Sequence, residues 1–296
     1  MESLHIQTPL IRSVPLSQEL GTNVWLKLEC LQPTGSFKIR GIGYACAYHQ
    51  QQGVSRFISS SGGNAGIAAA YAGMLLDLPV AVFVPETTTE RAIKMIEGFK
   101  ATVTVTGATW QEAHSAALAQ LNDDSAFIHP FDDPLIWQGH SSLVTEVTAL
   151  GLDPGAYVTA IGGGGLFCGL MQGIQEATST AHVLAVETHG AASLAAALTA
   201  GEPVALPAIT SIATSLGASQ ICQQAFDYAQ GDNVRASTVS DEDALAGCRW
   251  LADQHRLIVE PACGAAIAAA RSGKEQVSAY EDIVIVVCGG VTSVHI

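Results

Sequence analysis

YVTAIGGGGLFCGLMQGIQEA, residues 157–177, passes from an apolar β-rich run through four consecutive glycines into a segment of helical composition. A strand that ends in a glycine turn and restarts as a helix is the unit from which parallel sheets with helical faces are built. The same succession recurs on both sides of it. Strand candidates are NVWLKLE (23–29), SRFISS (55–60), VAVFVPE (80–86), TVTVTG (102–107), AFIHP (126–130), HVLAVE (182–187), RLIVE (256–260) and DIVIVVCG (282–289). Helical spacing marks 63–76, 88–100, 109–122 and 261–272 between them. The expected class is α/β. No Pro- or Ser-rich linker and no internal repeat divides the chain.

Four glycines in a row let backbone N–H groups converge with no Cβ in the way, and the following helix adds its partly positive N-terminus. The stretch GGGGLFCG (162–169) is therefore a candidate anion cup, although a tight turn that binds nothing has the same composition. It is not a P-loop, because no GK[ST] follows, and no ribose-binding acid makes it a dinucleotide fingerprint. SSSGGNAG (59–66) stands at a second strand-to-helix junction, where hydroxyls, amides and one carboxamide suit a small carboxylate or a phenolic oxygen. Ser61 or Asn64 as a plain helix cap is the competing reading. CGGVTS (288–293) follows a third strand. In open α/β sheets ligands collect at such strand ends. PTGSFKIRG (33–41) adds Lys38, a cation in a chain where only 13 of 296 residues are Lys or Arg.

Composition narrows the partners. A formal charge of −14 repels nucleic-acid backbones and anionic membranes, and no apolar stretch long enough to span a bilayer appears. A cytoplasmic protein is expected. Seven cysteines, an odd count without a CxxC pair, fit reduced thiols better than disulfides or zinc.

PTGSFKIRG, SSGGNAGIAAAYA, PFDDPLIWQGH, GGGGLFCG, AVETHGA, VEPACGAA and VVCGG follow one another along nearly the whole chain. In that order and spacing they resemble the serine/threonine dehydratase family of fold-type II pyridoxal-phosphate enzymes, in their short form without a regulatory domain. The resemblance implies two open, twisted, mainly parallel sheets with flanking helices, similar to the tryptophan synthase β fold, and pyridoxal 5'-phosphate between two domains. It implies a small domain over 36–135 and a discontinuous large one over 1–35 plus 136–296. A homodimer is a further implication.

Each implied role has a physical reason. Lys38 bonds to the cofactor aldehyde and later removes the substrate Cα proton, which needs a neutral amine. Phe37 lies against the ring. Gly162, Gly163, Gly164, Gly165 and Leu166 hold the phosphate, and Asn64 reaches the phenolic oxygen. Ser61, Gly62, Gly63 and Asn64 grip the substrate carboxylate, with Phe131, Asp132 and Asp133 at the mouth. Cys288 faces the pyridine nitrogen; a thiol stabilises a protonated ring less than a carboxylate, which favours elimination. Gly62 replaces the serine that racemases of this fold carry, so dehydration of L-serine or L-threonine to a keto acid and ammonia is expected. Glu187, with carbonyls of Ala191, Leu216 and Ala218, is the implied site of a monovalent cation such as K+; capping a loop is the alternative. Threonine preference, β-replacement of the cysteine-synthase kind and a silent cofactor-binding protein are the other readings.

Overall fold

The computed structural model describes residues 3–291. Ten strands form two sheets. The larger has the order β1-β2-β10-β7-β8-β9, where β1 (Leu10–Arg12) pairs antiparallel with β2 (Asn23–Lys27) at one edge. The other members, β7 (Ala156–Ala160), β8 (His182–Thr188), β9 (Val234–Val239) and β10 (Asp282–Val286), run parallel. The smaller sheet is wholly parallel, in the order β5 (Thr102–Val105), β4 (Val80–Val84), β3 (Arg56–Ser59) and β6 (Ser125–Phe127).

Apolar runs become interior strands because helices cover both faces of a parallel sheet. All five residues of β7 are buried, and so are four of five in β10. Around the larger sheet lie α1 (Val14–Leu20), α7 (Gly165–Glu176), α8 (Ser193–Ala200), α9 (Gln223–Ala229), α10 (Asp241–His255), α11 (Pro261–Ser272) and the short α12 (Lys274–Val277). The smaller sheet packs α2 (Lys38–Gln51), α3 (Asn64–Leu76), α4 (Glu90–Gly98) and α5 (Trp110–Leu118). The long α6 (Pro134–Ala149) serves both: Ile136 belongs to the second core, whereas Leu143, Val144 and Val147 belong to the first. No helix among the described residues is long and apolar enough to cross a membrane.

One expected strand is absent. RLIVE (256–260) joins α10 to α11 as irregular chain, and the outer position of the sheet is taken by β9 instead. Arg256 adopts a left-handed φ of 59° as the cap of α10, with its N–H on Ala252 O, so the run begins with a reversal. Strand propensity yields there to helix termination. Thr292 and Ser293, the end of the CGGVTS stretch, lie outside the described residues.

The start of α2 is tied to both cores. Gly41 and Gly139 let α2 and α6 touch closely; a Cβ on Gly139 would come within 2.4 Å of Arg40 O. One residue before Gly41, wholly buried Arg40 donates to Glu29 at 2.6 and 2.8 Å and to Glu146 at 2.6 and 2.8 Å. Lys27 adds a 2.5 Å contact to the same Glu146. Two cations and two carboxylates make a neutral, fully hydrogen-bonded cluster, the form in which buried charge is tolerated.

Candidate active site

The two glycine-rich junctions with helices after them stand at the ends of β7 and β3, and the scarce lysine opens a helix of its own. Lys38 is the first residue of α2, and the turn before it is stitched to the end of β10: Phe37 N donates to Cys288 O at 3.1 Å, and Gly290 N to Gly35 O at 2.9 Å. Lys38 Nζ donates to Pro130 O, just past β6, at 2.6 Å. Burial brings its pKa down from 10.5 to about 8, against a smaller opposing effect of Cys288. The amine is therefore within reach of its neutral form near physiological pH. Phe37 packs on His140, ring centres 5.0 Å apart.

The glycine cup follows β7. Gly164 has φ 105°, a left-handed value that favours glycine, and caps α7. Phe131 closes one side: a Cβ on Gly163 would lie 2.5 Å from its ring. Leu216 closes another, 3.0 Å from the Cβ position of Gly162. The first intrahelical bond of α7 runs from Cys168 N to Gly164 O, which leaves the N–H groups of Gly165, Leu166 and Phe167 without partners inside the helix.

At the second junction Gly63 caps α3, and Ser61 Oγ accepts from Gly63 N at 3.3 Å. The Asn64 carboxamide is oriented from both ends: Oδ1 accepts from Val291 N at 3.1 Å, and Nδ2 donates to Glu260 Oε2 at 3.0 Å. The two bonds fix which end of the carboxamide is which, and one N–H of Nδ2 remains for a ligand acceptor. Space beside Gly62 is not open. Thr88 fills it, with Oγ1 2.6 Å and Cγ2 2.7 Å from where a Cβ would sit.

A family model described as pyridoxal-phosphate dependent enzyme matches residues 1–289. The chain belongs to the pyridoxal-phosphate dependent enzymes. It is 44% identical to human "L-serine dehydratase/L-threonine deaminase" over 98% of this chain and 92% of that one. Human "Serine dehydratase-like" is also 44% identical, over 98% and 91%. The fungal L-serine ammonia-lyase of Rhizomucor miehei superposes with a TM-score of 0.93 at 33% identity, covering 99% of this chain and 96% of the other. The fold is that of fold-type II pyridoxal-phosphate enzymes.

Pyridoxal phosphate presents an aldehyde, a phenolic oxygen, a phosphate and a pyridine nitrogen, and the donor set fits it. A partly neutralised amine, a carboxamide with an N–H to spare, and helix N–H groups without intrahelical partners at a left-handed glycine turn answer the first three. Buried Cys288 lies within electrostatic reach of Lys38. Glu187 is buried at the end of β8 and accepts from Leu194 N at 2.7 Å and Ala195 N at 2.9 Å, so it does cap α8. Burial outweighs those bonds and lifts its pKa to about 7. Ala191 and Leu216 are buried and Ala218 is half-buried; Leu216 O accepts from Ala218 N at 2.8 Å.

Several contributors escaped the sequence reading. In the PFDDP segment Asp133 caps α6 through Leu135 N at 2.8 Å, and Phe131 is clamped by two residues the sequence reading passed over, Trp137 Nε1 on its carbonyl at 2.8 Å and His129 Nδ1 on its N–H at 3.2 Å. Burial, then His114 and Lys38, hold His129 down at about 4, so it stays neutral and keeps Nδ1 as acceptor. Glu260 and Thr88 carried no signal of their own. The third glycine stretch has a packing explanation: a Cβ on Gly290 would lie 2.3 Å from the Glu260 carboxylate, and one on Gly289 2.3 Å from Gly35 O.

Proposed function

We propose that this protein catalyses the pyridoxal-phosphate-dependent dehydration and deamination of L-serine, and of L-threonine, to pyruvate or 2-oxobutanoate plus ammonia. The carrying observation is Lys38: an amine lowered to about 8 by burial, at a site whose remaining donors match the cofactor. Relatives over nearly the whole chain are named for this reaction.

When bound, the cofactor supplies an electron-withdrawing ring joined to the substrate nitrogen, which makes the Cα proton removable. The N–H groups of Gly162 to Gly165 and Leu166 would hold its phosphate, Phe37 would support its ring, Asn64 would donate to its phenolic oxygen, and the Cys288 thiol would partner its pyridine nitrogen. Ser61, Gly62, Gly63 and Asn64 receive the substrate carboxylate at the start of α3, with Phe131 bounding the cleft. Lys38 Nζ, aimed by Pro130 O, takes the Cα proton in its neutral form. A thiol in that role, unlike a carboxylate, would stabilise a protonated ring less and so would favour loss of the β-hydroxyl.

The same reading includes the small domain over 36–135 within a discontinuous large one, supported by a four-stranded sheet drawn wholly from residues 56–127. It includes K+ at Glu187 with the carbonyls of Ala191, Leu216 and Ala218, supported by a buried carboxylate whose charge is disfavoured without a cation. A cytoplasmic homodimer completes it, on the resemblance alone. Keto-acid release from each amino acid, with chiral analysis of the remaining serine, tests the reaction. D-serine as the main product, or a requirement for sulfide, would overturn it.

A further inference from the structure

Glu260 is wholly buried and stands at the N-cap of α11, followed by Pro261, yet its side chain makes no capping bond to its own helix. A carboxylate in that position ordinarily satisfies the free N–H groups of the first turn. Here Oε2 instead accepts from Asn64 Nδ2 at 3.0 Å and, in a short contact, from Ser215 Oγ. Asn64 opens α3, beside the smaller sheet. Ser215 is in the 3-10 turn Thr214–Leu216, whose Leu216 borders the glycine cup. The third neighbour, Gly290, has no side chain where the carboxylate lies.

We propose that Glu260 is a positioning residue for the cofactor, acting at both ends of its site. Through Asn64 it decides which way the carboxamide faces. With Oδ1 accepting from Val291 N and one N–H donated to Glu260, the flip of the carboxamide is fixed and its second N–H is available to an acceptor such as the phenolic oxygen. Through Ser215 it steadies the turn against which the cup is built. Without Glu260 the carboxamide loses the partner that fixes its orientation, and the turn loses its anchor.

This inference rests on the cofactor reading above, and its test separates the two. Cofactor affinity and the absorbance of the bound cofactor are measured without substrate in wild type, Glu260→Ala, Asn64→Ala and the double variant. Wild type that takes up no cofactor would sink the cofactor reading, and the inference with it, before any variant is compared. If Glu260 acts through Asn64, Glu260→Ala shifts the absorbance and weakens binding about tenfold. In the Asn64→Ala background the same change leaves the absorbance unmoved. A shift that persists undiminished there, or a Glu260→Ala spectrum identical to wild type with only a lower melting temperature, overturns the proposal. Glu260→Gln preserves the volume and runs the same cycle should the alanine variant not fold.

Discussion

The burial of Lys38 lowers its amine pKa and so sets a pH dependence for the role proposed for it. A lysine lowered from 10.5 to about 8 is mostly neutral above that value. The rate at which the protein takes up pyridoxal phosphate is expected to climb with pH and level off above about 8; a rate still climbing steeply beyond pH 9 would contradict the shift. Glu187 is shifted the other way. Its folded pKa of about 7 exceeds the usual 4.5, so the stability tied to its protonation is present below 4.5 and lost as pH rises through 7. The K+ proposed at Glu187 would offset that loss. Melting temperatures in potassium and in tetramethylammonium chloride are therefore expected to diverge between about pH 5 and about pH 8, and a constant gap would count against the cation. Gly62 lacks the serine that racemases carry, but the space beside it is occupied by another hydroxyl residue, Thr88. No hydrogen bond from the Thr88 hydroxyl to a described residue is present, and an alcohol without a basic partner is a poor proton carrier. L-serine is expected to yield no D-serine with either wild type or Thr88→Val. D-serine that disappears in Thr88→Val would make Thr88 the missing acid. Lys38 was legible because cations are scarce; Thr88 and Glu260 were not, since nothing local says that residues 26 and 196 positions away from their partners will meet them.

Among elements, the buried parallel strands were the legible part, because continuous β-branched runs such as DIVIVV have few other stable uses. RLIVE has the same composition but starts at a left-handed helix cap, and VRASTV, an outer strand with polar exposed positions, passed unnoticed as β9. The α2 segment was seen only at its first turn. Its anchorage through Arg40 depends on Glu29 and Glu146, distant in sequence, and removing one member leaves buried charge uncompensated. Arg40→Met is expected to cost about 3 kcal/mol in urea unfolding, and a loss below about 1 would show the cluster to be dispensable. Burial alone would raise the Glu146 pKa, but hydrogen bonds and charge from Arg40 and Lys27 outweigh it and lower it. Its stabilisation is thus present above pH 4.5 and lost as pH falls through the lowered value. Glu146→Gln should be less stable than wild type at neutral pH and converge with it in acid; a gap independent of pH would contradict the ion pair.

For the whole molecule, the decisive fact is that separate sheets bring their strand ends to one place. Lys38 opens a helix packed on the smaller unit but hydrogen-bonds past β6 and is stitched, through Phe37, to the end of β10 in the larger. Asn64 likewise opens α3 yet is oriented by Glu260 and Val291 from the C-terminal part of the chain. Chain order alone does not reveal such convergence. The resemblance carried by seven short stretches scattered over the sequence implied it, because the family it points to holds one cofactor between two domains. The most direct test is release of keto acid and ammonia from L-serine and L-threonine by the cofactor-loaded protein beside Lys38→Ala. Equal amounts of both products from wild type, and neither from the variant, is the expected result; a variant that turns over as fast as wild type would contradict the central role given to Lys38.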